Sequence, residues 1–163
     1  MDLAFDIRGN LVPQERVELM LDEFRATFVE AFDVDSTRHE IFENYLMFVE
    51  DFQAEISETF THWINGSFVN NKPNPNDIDF VTIIDHEVYE EKRDKIDAKF
   101  RLKGAKQWYK VDAYTVELFP EGHPKYLICQ SDLVYWDNWF SKTKPDWRKR
   151  KFPKGYIEIK FDT

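Results

Sequence analysis

The chain has 163 residues, 42% of them hydrophobic and 17% aromatic, with a formal charge of −9, which suits one compact domain burying roughly two thirds of the surface of its unfolded form. The acidic balance argues against a broad nucleic-acid footprint, because that needs a basic face to neutralise phosphates. Cys129 is the single cysteine and cannot close an internal disulfide, no apolar run reaches the length of a membrane span, and no cationic, apolar leader opens the chain, so a cytoplasmic protein without a membrane is expected.

Residues 5–13 read as an extended lead-in ending at Pro13, a residue favoured at the first position of a helix. From 14 to 32, Val17, Leu21, Phe24, Phe28 and Phe32 recur at spacings of four, three, four and four, which predicts an amphipathic helix. Asp33 to Thr37 make a polar break with Asp35 or Ser36 as caps. A second helix runs to about residue 60 with Ile41, Tyr45, Phe48, Phe52 and Ile56 on one stripe. The two aromatic stripes read as core, pairing with each other and covering one face of a sheet.

A strand is expected over Thr61 to Phe68, then a stiff loop from Val69 to Asn76 rich in Asn and Pro, then a strand from Asp77 to Ile84. Asp85 is placed to cap a charged helix from Glu87 to about Phe100. Leu102 to Ala105 read as a break, and Gln107 to Leu118 as a strand by aromatic and β-branched content, interrupted by Asp112. Lys125 to about Ser141 form an aromatic-rich helix in which Cys129 reads as a small buried residue. Trp147-Arg148-Lys149-Arg150-Lys151 is the concentrated basic run, either a solvated tail or a contact for a triphosphate, an RNA end or an acidic partner. Tyr156 to Phe161 alternate as a final strand at a sheet edge. The expected fold is α+β: a mixed β-sheet flanked by helices in a single domain, with a helical part at 1–60, a core at 61–118 and a helix, basic segment and strand at 119–163.

The chemistry concentrates in two places. Asp77 and Asp79 stand at alternate strand positions and therefore share a face. Like charges so close repel and raise each other's pKa, and a hard divalent ion such as Mg2+ is the natural compensator. Gly66 permits close approach of the backbone to a ligand, and the hydroxyl of Ser67 is suited to phosphate oxygens. Lys72, in the intervening loop, is either a solvated lysine or a charge facing phosphates. His39, His62, His86 and His123 are scattered without paired zinc-ligand spacing, and no Gly-x-Gly-x-x-Gly, Walker or Gly-x-Ser-x-Gly pattern occurs.

Gly66-Ser67 followed, after the nine residues Phe68 to Asn76, by Asp77-Ile78-Asp79-Phe80 resembles the signature of nucleotidyltransferases with a DNA polymerase beta-like core. Within that superfamily the chain is similar to a small bacterial and phage group carrying Gly-Ser-Phe, a Lys and Pro-Asn-Asp-Ile-Asp, opening with Gly-x-Leu-x-Pro and closing with Lys-Gly-hydrophobic. Gly9-Asn10-Leu11-Val12-Pro13 and Lys154-Gly155-Tyr156-Ile157 match both ends, so the resemblance spans nearly the whole chain. It implies a nucleotidyltransferase palm, with Asp77, Asp79 and Asp112 as catalytic residues and ligands of Mg2+ or Mn2+; Asp112 is preferred over Glu117 as third carboxylate because Glu117 lies on the opposite strand face. It implies Gly66, Ser67 and Lys72 as nucleotide-binding residues, an NTP substrate with ATP foremost, and transfer of a nucleoside monophosphate to a hydroxyl of a protein or small molecule. Some small relatives are antitoxins that nucleotidylate a cognate toxin, so a toxin-like protein partner or a homo-oligomer is a further expectation. The alternatives are an RNA-end nucleotidyltransferase and a catalytically silent nucleotide-binding or toxin-neutralising module.

Overall fold

Strand alternation builds a sheet with two apolar faces. In the computed structural model, which describes residues 2–162, the elements are β1 (Ala4–Phe5), β2 (Leu11–Val12), β3 (Arg16–Glu18), α1 (Leu21–Arg25), α2 (Arg38–Glu55), β4 (Phe60–Asn65), β5 (Asp79–Asp85), α3 (His86–Lys95), α4 (Leu102–Tyr109), β6 (Asp112–Leu118), α5 (Tyr126–Phe140) and β7 (Tyr156–Phe161). The main sheet has the order β3-β7-β4-β5-β6, and β1 pairs with β2 in a separate ribbon. β7 runs parallel to β3 and antiparallel to β4, β4 antiparallel to β5, and β5 parallel to β6. The expected α+β class with a mixed sheet is thus observed, and no helix among the described residues is long and apolar enough to cross a membrane.

One face carries Phe60, Ile64, Phe80, Ile84, Ala113, Ile157 and Ile159, packed against Phe24 and Phe28 and against the α2 stripe of Ile41, Tyr45, Phe48 and Phe52. On that face His62 is fully buried, with Nδ1 at 2.7 Å from the Tyr45 hydroxyl and Nε2 at 3.0 Å from Thr82 Oγ1. The opposite face carries Trp63, Val81, Ile83, Val116 and Tyr156, packed against Phe140, Leu133 and Trp136 of α5. Cys129 is buried, as expected.

Four expectations need correction. The segment 14–32 is not one helix, and Pro13 does not start one: Val17 lies in β3, in register with Ile157 of β7, and helix begins only at Leu21, passing through a wide π-turn at Ala26–Glu30. A β-branched residue at helical spacing has paired with a strand. Residues 102–109 are neither a break nor the start of a strand but α4. Gly104 packs its backbone against the Ala98 carbonyl, where a side chain would not fit, and Tyr109 enters the core beside Phe48 and Phe100, donating its hydroxyl to Asp51 at 2.5 Å. Lys110 in the left-handed region (φ 57°) ends the helix, so Asp112 opens β6 instead of interrupting a strand. Asp77 precedes β5, which begins at Asp79. Finally, β7 lies between β3 and β4, and β3 and β6 are the edges.

Candidate functional site

The parallel register of β5 and β6 sets Asp79 directly beside Asp112, while antiparallel β4 sets Asn65 beside Asp79 on the other side. The Asp112 amide donates to the Ile78 carbonyl at 3.0 Å, extending the pairing beyond the strand and holding Asp77 at the same end. One carboxylate oxygen from each of Asp77, Asp79 and Asp112 lies within 4.8 Å of the others. The structure thus brings the three expected carboxylates together on the α5 face of the sheet.

The electrostatics follow from that crowding. Burial, then the neighbouring Asp112 and Asp77, push Asp79 up to about 7. Burial and Asp112 also raise Asp77. Asp112 moves the other way: burial disfavours its charge, but hydrogen bonds from Asp79, Asp77 and Lys106 outweigh it and hold its pKa below the usual carboxylate range. Lys106, on α4, reaches Asp112 at 3.2 Å and Asp77 at 3.4 Å.

Gly66 follows β4 with φ 84°, a conformation open to glycine, and a side chain there would run into the Asp79 carboxylate. Asn65 is 7% exposed and its Oδ1 has no hydrogen-bond partner among the described residues. Both residues line a cleft of about 280 Å³ together with the three aspartates, Tyr114, residues 138–140 of α5, and Lys142, Lys144, Lys151 and Lys154. Ser67 and Lys72 are not in that lining. Ser67 is half-buried at the start of a short 3-10 turn (Ser67–Val69), and the Lys72 side chain is exposed.

The loop between Gly66 and Asp77 is held by Arg38 at the start of α2. This fully buried guanidinium donates to the carbonyls of Phe28 (2.9 Å), Ser67 (3.1 Å), Asn70 (2.7 Å), Lys72 (2.8 Å) and Phe68, and stacks over Phe32 at 3.8 Å. Burial without a carboxylate lowers its pKa to about 10. Ser36 and Thr37 donate their hydroxyls to Pro73 and Pro75 carbonyls at 2.5 and 2.6 Å. The two terminal motifs meet beside this loop: Gly155 N donates to Leu11 O at 2.9 Å and Asn71 N to Gly9 O at 3.0 Å.

Sequence reasoning missed Asn65, Lys106, Lys144, Lys154 and Arg38. Arg38 did carry a signal, because it sits three residues before Ile41 on the α2 stripe, where a charged side chain is out of place. Asn65 likewise ends an apolar strand immediately before the Gly-Ser pair. Lys106 carried none while its segment read as a break and strand.

Fold and site together define an α+β protein with a cluster of three aspartates at the ends of paired parallel strands. The chain matches the model of the Family of unknown function (DUF6932) over residues 3–160 and belongs to that family. It matches no curated protein and no solved structure.

Proposed function

We propose that the protein is a metal-dependent nucleotidyltransferase with a palm-like sheet, passing a nucleoside monophosphate from an NTP, ATP foremost, to a hydroxyl of a protein or small-molecule acceptor. The observation that carries this reading is the convergence of Asp77, Asp79 and Asp112 within 4.8 Å. The donor set is all oxygen, and Asn65, whose buried Oδ1 has no partner among the described residues, lines the same cleft. This fits a hard divalent ion such as Mg2+ or Mn2+ and not a soft one. Such an ion, when bound by the aspartates, would neutralise phosphate charge as a Lewis acid.

The chain's residues then divide the work. Asp77 and Asp79 set the charge that draws the cation, and Gly66 leaves room for the Asp79 carboxylate itself. To Asp112 we assign help in taking the proton of the attacking hydroxyl. The new bond joins acceptor oxygen to the α-phosphorus, and the bond from that phosphorus to the β-phosphate bridge breaks, releasing pyrophosphate. Ser67 and Lys72, expected as nucleotide contacts, lie outside the cleft lining and have no part in this chemistry.

Lys106 favours a second reading. Its ammonium already bridges Asp77 and Asp112, as a counter-ion would in a silent nucleotide-binding or toxin-neutralising module. Incubation with Mg2+ or Mn2+ and each α-labelled NTP, with and without cell lysate, separates the two. Label transferred to protein or a small molecule and lost in Asp77→Ala is the expected result. Nucleotide binding with no label transferred under any condition would select the silent module, and label on RNA ends would reassign the acceptor.

A further inference from the structure

We infer that the polyphosphate chain of the ligand is gripped by the hairpin 141–154, with Lys144 and Lys154 as its principal contacts, and not by the loop after Gly66. The identity of the ligand as a nucleotide rests on the nucleotidyltransferase reading; the hairpin's affinity for polyphosphate does not.

The hairpin is a built element. Lys142 bridges Pro153 in antiparallel fashion, Thr143 N donates to Phe152 O at 2.8 Å and Lys154 N to Ser141 O at 2.9 Å, and Phe152 N donates to Thr143 Oγ1 at 2.9 Å. Its tip closes around Asp146, which accepts from the Arg148 and Arg150 amides at 2.9 and 2.8 Å and from Arg150 Nε at 2.9 Å. That leaves Arg148 and Lys149 at the solvated tip, and the flanks of the hairpin aim Lys142, Lys144, Lys151 and Lys154 at the cleft.

In a chain of charge −9 these four ammonium groups are conspicuous because they converge on one cleft. Lys95, Lys99, Lys106 and Lys160 form ion pairs with carboxylates; among the described residues the four cleft lysines form none, and neither do the scattered Lys72, Lys92, Lys103, Lys110, Lys125 and Lys149. Lys154 is the most enclosed of them, and burial pushes its pKa down to about 8, with Asp79 the nearby charge that opposes the shift. A sequestered ammonium without a partner is costly in a free protein and well placed for an anion.

The cleft therefore has an acidic wall of three aspartates and a basic wall of lysines that face each other without touching. An acidic peptide would be repelled by the first wall and a bare cation by the second. A polyphosphate carrying a divalent ion satisfies both, since the ion meets the carboxylates and the remaining oxygens meet the ammonium groups. The loop after Gly66 offers less. Its Val69, Asn70 and Asn71 amides already donate to the Gly66, Ser67 and Gly9 carbonyls and the Lys72 amide to Asn70 Oδ1 at 2.8 Å, so these donors are not free for phosphate, and the Lys72 side chain lies outside the cleft.

The test titrates the full chain with inorganic tripolyphosphate in Mg2+, and separately with Mg-ATP, by calorimetry. Lys144→Ala and Lys154→Met should each weaken tripolyphosphate by about tenfold, the worth of a charge-assisted contact, while Lys72→Ala and Arg148→Ala stay within about twofold. Lys154→Met should also melt no lower than the parent without ligand, because it removes an unpartnered buried charge; a purely structural lysine would give a lower melting temperature and unchanged binding. Loss of affinity in Lys72→Ala with none in the two cleft variants would overturn the inference and leave nucleotidyl transfer standing. A parent protein that binds tripolyphosphate through these lysines but no NTP would uphold the hairpin site and remove the nucleotide reading. No binding of either probe would remove both.

Discussion

Gly66 and Lys106 set the charge balance of the site from opposite sides. Gly66 is fixed twice over, by a positive φ of 84° and by the Asp79 carboxylate pressed where its side chain would be. Gly66→Ala should lower stability by about 1–3 kcal/mol and weaken Mn2+ binding, because relief of the clash turns Asp79 away from Asp77 and Asp112. Chemical denaturation and Mn2+ titration read the two effects, and an alanine variant with parental Mn2+ affinity would show that Asp79 is not a ligand. Lys106 acts in the contrary sense, holding Asp77 and Asp112 with a tethered cation. Its side chain is 53% exposed, so water screens the contact and release costs little. Lys106→Ala should therefore bind Mn2+ severalfold more tightly than the parent by calorimetry; weaker binding would instead make Lys106 a contact of the metal-loaded ligand.

At the scale of elements, the first turn of α2 organises the site from behind. Arg38 supplies donors to the carbonyls of Ser67, Phe68, Asn70 and Lys72 in the segment between Gly66 and Asp77 and to that of Phe28 in the π-turn, and it does so without a carboxylate. Buried carbonyls left unpartnered each cost about 1–3 kcal/mol, so Arg38→Met should destabilise the fold by about 3–5 kcal/mol, and Arg38→Lys should recover only part of this because one ammonium cannot replace a planar fork. A drop of under about 1 kcal/mol in the urea-derived stability of Arg38→Met would mean that water satisfies the loop. The same elements show what the sequence could reveal. Asp77 and Asp79 were legible because the nine-residue gap after Gly-Ser is a local property, although Asp77 stands outside β5, and α2 because five apolar residues hold one stripe. Arg38 carried a signal as a charge out of place on that stripe, but the carbonyls it serves, from residues 67–72, are distant in sequence and follow no local pattern. The helix α4 was hidden because Trp108, Tyr109 and Val111 have strand propensity, which packing of Tyr109 and Gly104 against α2 and the 96–100 turn overrides. The cleft lysines were hidden because only Lys151 belongs to the basic run, while Lys142, Lys144 and Lys154 stand apart from it in sequence and are brought together by hairpin pairing. Strand order, with β7 interior between β3 and β4, depends on the long-range pairing of Val17 with Ile157, for which no local pattern exists.

For the whole molecule, the aspartate cluster makes stability depend on pH in a direction opposite to that of most acidic sites. Asp79 binds its proton more tightly folded, near 7, than unfolded, near 3.8. Between those values the folded state therefore holds more protons, and stability falls as pH rises. His62, buried neutral between Tyr45 and Thr82, works against this: burial lowers its pKa from 6.5 to about 3, so its contribution is lost as pH falls through the same window. Lys154, lowered to about 8 from 10.5, adds stability with rising pH only above that range. The parent melting curve alone sums these opposed terms, and the difference between parent and Asp79→Asn isolates the cluster. Without divalent ions, Asp79→Asn should gain on the parent steadily from about pH 4 to pH 7 and keep that gain above it. Millimolar Mn2+ should reverse the order at pH 7, because a cation that binds only the folded parent restores its stability by mass action and the amide weakens the site. A difference curve flat with pH would mean that Asp79 is solvated and ionised throughout; a Mn2+ effect equal in both proteins would place the cation elsewhere than among the three aspartates.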